Sequence, residues 1–380
     1  MKRLTYAMIG GGTGSFIGAV HRKALNLDGR AELVAGAFSS TPERSRQSGY
    51  ELGVASDRVY GSFEELAREE SARSDPADFV VIVTPNDTHY PATKACLEAG
   101  LHVVCDKPFT ITSDQASELR DLASSKGLVC AVTYNYSGYP MVRHAAELVR
   151  GGMFGRIRKV YAEYHQGWLA TELETSGQKQ ASWRTDPARA GIGGSLGDIG
   201  THAEQLLRFV TGLEVETVCA ELTSFGRGRV LDDDASVLLR LSDGAKGSLT
   251  CSQVCVGEAN GLSLRVYGET GGLIWRQEQP ERLTLTALDG SKTVLSRGSD
   301  RLSERAGHAT RLPSGHPEGF IEAFANLYLG VIEAIESKRD SREPGPMASE
   351  VPTAEDGLLG VRFVEACVRS AQNNSAWTPV

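Results

Sequence analysis

Residues 9–24 read IGGGTGSFIGAVHRKA, and the reading of this stretch decides the fold of the first third of the chain. It begins at the end of LTYAMIG (4–10), an apolar run that stops at glycine and reads as a buried parallel strand. It leads into AVHRKALNL (19–27), which reads as a helix. A strand, a glycine-rich turn and a helix make the entry to a nucleotide-binding unit. The spacing departs from the usual dinucleotide fingerprint: the third glycine is replaced by Ser15, and the next one is Gly18. In Gly10-x-Gly12-x5-Gly18, Gly10 would make the tight turn, Gly12 would let the backbone approach a pyrophosphate, and Gly18 would allow close helix packing. The helix N-terminus supplies free amides to the phosphates. A glycine-rich turn with no ligand has the same composition, so the loop alone does not decide between the two. A mononucleotide P-loop is disfavoured because no Gly-Lys-Ser/Thr follows.

Outward from the loop, strand and helix patterns alternate. AELVAGAFSS (31–40), DFVVIVTP (78–85), LHVVCDKP (101–108) and LVCAVTYNY (128–136) read as strands. TPERSRQSGYELG (41–53), SFEELAREES (62–71), THYPATKACLEAG (88–100) and SDQASELRDLASSKG (113–127) read as helices, with Ser62 and Glu65 as a capping box. This alternation predicts a doubly wound parallel sheet over residues 1–135. Residues 136–380 are expected to form a second domain. GYPMVRHAAELVRGG (138–152) reads as a helix, followed by long polar loops to about residue 195. ASVLLRLSDGAKGSLTCSQV (235–254) and LSLRVYGETGGLIW (262–275) read as consecutive hairpins, which predicts an antiparallel sheet. Residues 289–318 are polar and read as a long loop or arm. FIEAFANLYLGVIEAIES (320–337) and AEDGLLGVRFVEACVRSAQ (354–372) read as closing helices.

The chain has 380 residues, 41% of them hydrophobic and 23% charged, which suits a soluble protein of two domains. A net charge of −8 without a basic stripe argues against a nucleic-acid partner. No run of about 18 apolar residues suggests a membrane span, and no cleavable leader is evident, so a cytoplasmic protein is expected. The seven cysteines include no Cys-x-x-Cys pair and read as reduced thiols, Cys251 and Cys255 among them. No clustered Cys/His set points to a metal.

Two further stretches give the glycine loop its context. TPNDTHYPATKACLEAGLHVVCDKP (84–108) and GGSLGDIGTHAEQLLRFVTG (193–212) follow it in an order and spacing that resembles the glucose–fructose oxidoreductase, inositol dehydrogenase and MocA family. The resemblance covers nearly the whole chain. It implies an N-terminal Rossmann domain and a C-terminal α/β domain with a large, mainly antiparallel sheet. It also implies hydride transfer between NAD(P) and a sugar or cyclitol, in a homodimer or homotetramer. Three features depart from the common pattern. The glycine loop carries three extra residues between Gly12 and Gly18, counted back from His21; Asp106-Lys107-Pro108 stands for Glu-Lys-Pro; and Ser39 and Ser40 stand where NAD-preferring members often place an acid. An acid there would bond the ribose hydroxyls and repel a 2′-phosphate. Ser39 and Ser40, with Arg44 close in sequence, therefore permit NADP, although NAD is the expected cofactor.

The cofactor is expected to touch Gly10, Gly12, Thr13, Gly14, Ser15, Phe16, Ile17, Ser39, Ser40 and Arg44. Thr13 to Ile17 are expected to wrap further around the pyrophosphate. Thr84, Pro85, Asn86 and His89 follow a strand and are expected near the nicotinamide ribose, with Asp106, Lys107 and Asn135 at neighbouring strand ends. Lys107 sits where open α/β sheets bind ligands, and its ammonium can stabilise a developing alkoxide. Asp198 and His202 are four residues apart and share a face if both lie on one helix. The carboxylate would orient an imidazole suited to proton transfer near neutrality. In the family the histidine position is the usual acid/base and the lysine supports it. Substrate contacts are expected from Lys107, Tyr136, His165, Gln166, Trp183, Arg184, Asp198 and His202. Within 165–194, Lys179, Asp186 and Arg189 offer further polar groups, and His316 stands near the start of the helix at 320.

Three functions compete. The first is reversible oxidation of a secondary alcohol on a pyranose or cyclitol, with His202 taking the proton. The second is a redox-neutral glycosidase of the same fold, which oxidises, eliminates, adds water and re-reduces, on a glycoside whose sugar could be anionic or sulfonated. The third, a non-catalytic dinucleotide sensor, is opposed by the intact lysine, aspartate and histidine.

Overall fold

The computed structural model describes residues 3–380, except for the Lys179 side chain. The chain divides into two compact units. One holds residues 1–135 and 320–358, the other 136–319 and 359–380. Segment 320–358 thus belongs with the first unit, whereas a contiguous division at 135 assigns it to the second domain.

In the first unit, strands and helices alternate as β1 (Leu4–Gly10), α1 (Phe16–Leu27), β2 (Ala31–Ala37), α2 (Pro42–Glu51), α3 (Phe63–Ala72), β3 (Phe79–Val83), α4 (Asn86–Glu98), β4 (His102–Cys105), α5 (Ser113–Ser125) and β5 (Cys130–Val132). The five strands are parallel in the order β2-β1-β3-β4-β5. Alternate residues of each strand feed opposite faces. Ala7, Ile9, Val80 and Ile82 pack with Leu66, Leu97 and Leu119 of α3, α4 and α5. Tyr6, Met8, Phe79 and Val81 pack instead with Val20 and Leu25 of α1 and with Phe324, Tyr328, Val331 and Ile335. The last four belong to the helix Phe320–Arg339, which closes that face. Each such buried side chain contributes roughly 1.5–3 kcal/mol. This is the doubly wound Rossmann arrangement expected from the alternating pattern. Ser62 caps α3 through the Glu65 N–H, but Glu65 reaches back to Gly61 N–H at 2.7 Å, one residue before the cap.

His21 of α1 lies wholly inside this packing, with Nδ1 2.5 Å from the Tyr328 hydroxyl and its ring against Phe324. Burial pushes its imidazole from 6.5 down to about 4, Asp106 opposing the shift and Arg22 adding to it. The unfolded chain therefore takes up a proton near pH 6.5 that the folded chain refuses until about pH 4. Stability from this site is complete above the first value and disappears as pH falls to the second, about 3 kcal/mol in all. Urea midpoints measured at about pH 7.5 and 5 should differ by that route, and His21→Asn should flatten the difference. An equal pH dependence in the variant would assign acid lability elsewhere.

The second unit contains α6 (Pro140–Arg150), β6 (Ile157–His165), α7 (Lys179–Arg184), α8 (Pro187–Ala190), a π-helical turn (Leu196–Gly200), α9 (Thr201–Thr211), β7 (Val215–Thr223), β8 (Asp234–Leu241), β9 (Lys246–Ser252), β10 (Gly261–Gly268), β11 (Gly271–Arg276), β12 (Arg282–Ala287), β13 (Lys292–Ser296) and α10 (Glu304–His308). Nine strands form one sheet in the order β13-β12-β11-β10-β6-β9-β8-β7-β14, where β14 is the short strand Thr378–Pro379. Every neighbouring pair is antiparallel except β6 with β9. Both expected hairpins are present, and Asp243 and Gly244 turn the first with φ of 57° and 77°.

Two expectations need correction. The region from 152 to 195 is not all loop: Ile157, Val160, Ala162 and Tyr164 form the buried face of β6, which lies between β10 and β9. Its charged alternate residues masked that period. Residues 289–318 are not a structureless arm either. They include β13 and α10, and Arg297 braces them. Its buried guanidinium donates to Glu281 (2.6 Å), Glu318 (2.9 Å) and the carbonyls of Leu312 and His316. His316 itself is exposed. All seven cysteines are free thiols; Cys251 is buried in β9 and Cys255, past the strand end, is partly exposed. Among the described residues no helix is long and apolar enough to cross a membrane, and no three His, Cys, Asp or Glu side chains gather as a metal site.

Candidate active site

The strand order β2-β1-β3 places a switch point between β1 and β3, since the chain runs outward from β1 to β2 and then returns to β3. Open α/β sheets bind ligands outside the strand ends at such a point. The glycine loop leaves β1 there, and Thr84-Pro85-Asn86 leaves β3 there.

Gly10, Gly11 and Gly14 have φ of 77°, 66° and 83°, a conformation that favours glycine. Gly18 lies against Gly11: a Cβ on it would meet the Gly11 Cα at 2.4 Å and the Gly11 oxygen at 2.6 Å. Gly18 thus performs the close packing expected of a third glycine. The three extra residues form a closed turn, with Ser15 N–H donating to Gly12 O at 3.0 Å. Ser15 then caps α1 by accepting from Gly18 N–H at 3.2 Å. Thr13 N–H donates to Ser48 Oγ of α2 (3.1 Å), and Gly12 N–H to Phe38 O at the end of β2 (3.3 Å). Arg22 Nη1 holds the Gly11 carbonyl from below. Thr13, Gly14 and Phe16 are exposed, and Ile17 is half-buried in the first turn of α1. A Cβ on Gly14 would meet nothing within 4 Å, so the tip of the loop stays open to a ligand.

At the end of β2, Ser39 Oγ accepts from Thr41 N–H, while Ser40 and Arg44 are exposed. Asn86 begins α4, with Pro85 as its cap residue. Thr84 Oγ1 and Asn135 Nδ2 are buried without a hydrogen-bond partner among the described residues. Asp106 Oδ1 accepts from Lys107 N–H (2.9 Å) and Thr133 Oγ1 (2.7 Å), which fixes the turn carrying Lys107 just past β4. His89 departs from its expected place. Its ring is buried, with Nδ1 2.7 Å from Pro108 O and Nε2 3.0 Å from Thr84 O. Burial lowers its pKa, against the pull of Asp106 and of both carbonyls. His89 therefore sits buried between the loops that follow β3 and β4, with a ring nitrogen facing a carbonyl of each.

In the second unit Asp198 lies in the π-helical turn and His202 in the first turn of α9 that continues it. They are on consecutive turns, but the widened π turn replaces the plain helix that the spacing suggested. The turn is anchored by Asp232, whose carboxylate accepts from Gly194 N–H, Ser195 Oγ and Leu196 N–H at 2.7–2.8 Å. His202 is only 6% exposed. Its ring packs edge-on against Tyr136 (4.8 Å between centroids) and near Tyr164 (6.3 Å). The two phenol oxygens are 2.5 Å apart, and Asn260 joins both, at 2.6 Å from Tyr164 and 3.3 Å from Tyr136. Gln166 adds a donor to Asn260 at 2.9 Å. Burial raises the pKa of both tyrosines, so they stay protonated donors.

Asp198 is held on both oxygens, by Arg184 Nη1 on one and by Gln253 Nε2 at 2.8 Å on the other. The Arg184 guanidinium also lies 4.6 Å from the Trp183 ring centre. Trp183 is 9% exposed, which leaves little face for a sugar to stack on. Asp186 caps α8, Arg189 is half-buried, and the Lys179 side chain lies outside the described residues. His165 does not join the His202 group. Side chains alternate along β6, so His165 emerges opposite Tyr164 and bonds Thr250 of β9 at 3.1 Å. Tyr164, Gln253 and Asn260 are the residues that sequence reasoning missed; each lies at or beyond a strand end, a position that could have flagged them.

Two family models match this chain: the oxidoreductase family with an NAD-binding Rossmann fold over residues 4–134, and the GFO/IDH/MocA C-terminal domain over 142–274. Over 379 residues the chain is 36% identical to YfiI of Bacillus subtilis, an uncharacterized oxidoreductase, covering 99% of this chain and 96% of that one. The chain belongs to the Gfo/Idh/MocA oxidoreductase family. Like the family, it is an NAD-binding oxidoreductase. An inositol dehydrogenase homolog from Azotobacter vinelandii, solved with NADH and myo-inositol, superposes with a TM-score of 0.92 at 34% identity, over 100% of this chain and 98% of that one. Levoglucosan dehydrogenase of Pseudarthrobacter phenanthrenivorans is 26% identical over 412 residues, 100% of this chain and 99% of that protein. The glycine loop of this Gfo/Idh/MocA member fits NAD by its own geometry: an open tip, a capped helix N-terminus and a switch-point position.

Proposed function

We propose that the protein transfers a hydride between nicotinamide and a secondary alcohol of a pyranose or cyclitol. The observation that carries this reading is the enclosed His202 ring, flanked by two phenols and preceded by a doubly held Asp198. NAD, when bound, supplies the hydride acceptor. Gly10, Gly12, Thr13, Gly14 and Ser15 would hold its pyrophosphate, Ser39 and Ser40 its adenosine ribose, and Thr84 and Asn86 the region near the nicotinamide. His202 takes the hydroxyl proton as general base and returns it in the reverse direction. Asp198 fixes the orientation of that imidazole. The Lys107 ammonium donates to the reacting oxygen and stabilises its negative charge. Tyr136, Gln166 and Arg184 offer donors to the other hydroxyls. The polyol class is supported by relatives whose names and ligands are myo-inositol and levoglucosan.

Incubation of the purified protein with NAD and a panel of pyranoses, cyclitols and aryl glycosides tests the reading through NADH absorbance. Accumulation of NADH with a pyranose or cyclitol is the expected result. Release of an aglycone without NADH would replace it with the redox-neutral glycosidase, and silence across the panel would also overturn it.

A further inference from the structure

Gln253 stands one residue beyond β9 and is 2% exposed. Its main chain is fixed on both sides: its N–H donates to Asp233 O (2.8 Å), and its carbonyl accepts from Leu169 N–H (2.9 Å). With the backbone held, the side chain reaches across 55 positions of sequence to Asp198 Oδ2 at 2.8 Å. Arg184 holds the other oxygen, so the carboxylate is gripped from two sides. The two grips differ in kind. Gln253 is built on the sheet and buried. Arg184 ends the six-residue helix α7, and its side chain is 26% exposed.

We propose that Gln253 is a positioning residue for Asp198, and through Asp198 for His202. The inference rests on the roles given above to that pair. An amide suits this task because it donates to a carboxylate without adding charge, so it fixes orientation and leaves the ion pair with Arg184 intact. A hydrogen bond to a charged group is stronger and more directional than one between neutral groups. Since Gln253 is buried and its amide is spent on the Asp198 carboxylate, its loss should appear in kcat and not in binding.

The test is Gln253→Met, which keeps the length and removes the donor. The expected result is a fall in kcat of about tenfold. The KM for the polyol and the Kd for NAD should stay within about twofold. Gln253→Asn keeps the amide but draws it back by one methylene, and is expected to lose kcat in the same way; it also covers a failure of the Met variant to fold. A double-mutant cycle with Asp198→Ala supplies the decisive readout: once the acceptor at 198 is gone, Gln253→Met should cost almost nothing more. Full kcat in a folded Gln253 variant overturns the proposal, as does the same loss in both backgrounds. If Asp198→Ala is impaired while the Gln253 variants are normal, the proposal alone falls. If Asp198→Ala turns over normally, the reading of Asp198 falls with it.

Discussion

Replacing His202 with alanine is expected to lower kcat by about 10²–10⁴-fold. NAD binding should survive, because the glycine loop and the β3 loop belong to the other compact unit. The substitution removes a ring packed against Tyr136 and Tyr164, so a melting measurement must accompany the kinetics. A folded variant that binds NAD with parental affinity and turns over slowly is the expected combination. Near-parental turnover would show that another group moves the proton, and the assignment of His202 would be abandoned.

The second large effect is expected from Gly18→Ala, a change of one methyl group. The new Cβ would stand 2.4 Å from the Gly11 Cα and 2.6 Å from its oxygen, and both are backbone atoms that cannot rotate away. Gly11 is held in turn by φ of 66° and by Arg22 on its carbonyl. Either α1 or the glycine loop must shift. Overpacking of this kind costs about 1–3 kcal/mol. If the shift falls on the loop, the Kd for NAD should rise by about ten- to a hundredfold. Titration of NADH fluorescence measures it directly. A lower melting temperature with unchanged NAD affinity would make Gly18 a packing residue only.

Much of the first unit was legible because its signals are local. β1, β3 and β4 are short apolar runs closed by glycine or proline, and α1, α3 and α5 are capped by Ser15, Ser62 and Thr112, each directly before its helix. The role of Gly18 could be counted from His21, and the structure places Gly18 on Gly11. The second unit was less legible. β6 carries Arg158, Lys159 and Glu163 among its apolar residues and reads as polar chain until two neighbours cover one face. Arg297 looks like one more surface arginine until its four partners, three of them more than fifteen residues away, are assembled around it.

The sequence by itself determined the Rossmann unit, the glycine loop with its displaced third glycine, the strand-end position of Lys107 and the four-residue spacing of Asp198 and His202. These follow from periodicity and spacing over a few residues. Only the tertiary structure decided which side chains surround that pair. It turned His165 to the opposite face of β6, closed the His89 ring between two carbonyls, and brought Tyr164, Asn260 and Gln253 into the group around Asp198 and His202. The physical reason is that a hydrogen bond between residues 55 positions apart leaves no periodic trace in either segment. It exists only once sheet register and the π turn have set both backbones in place.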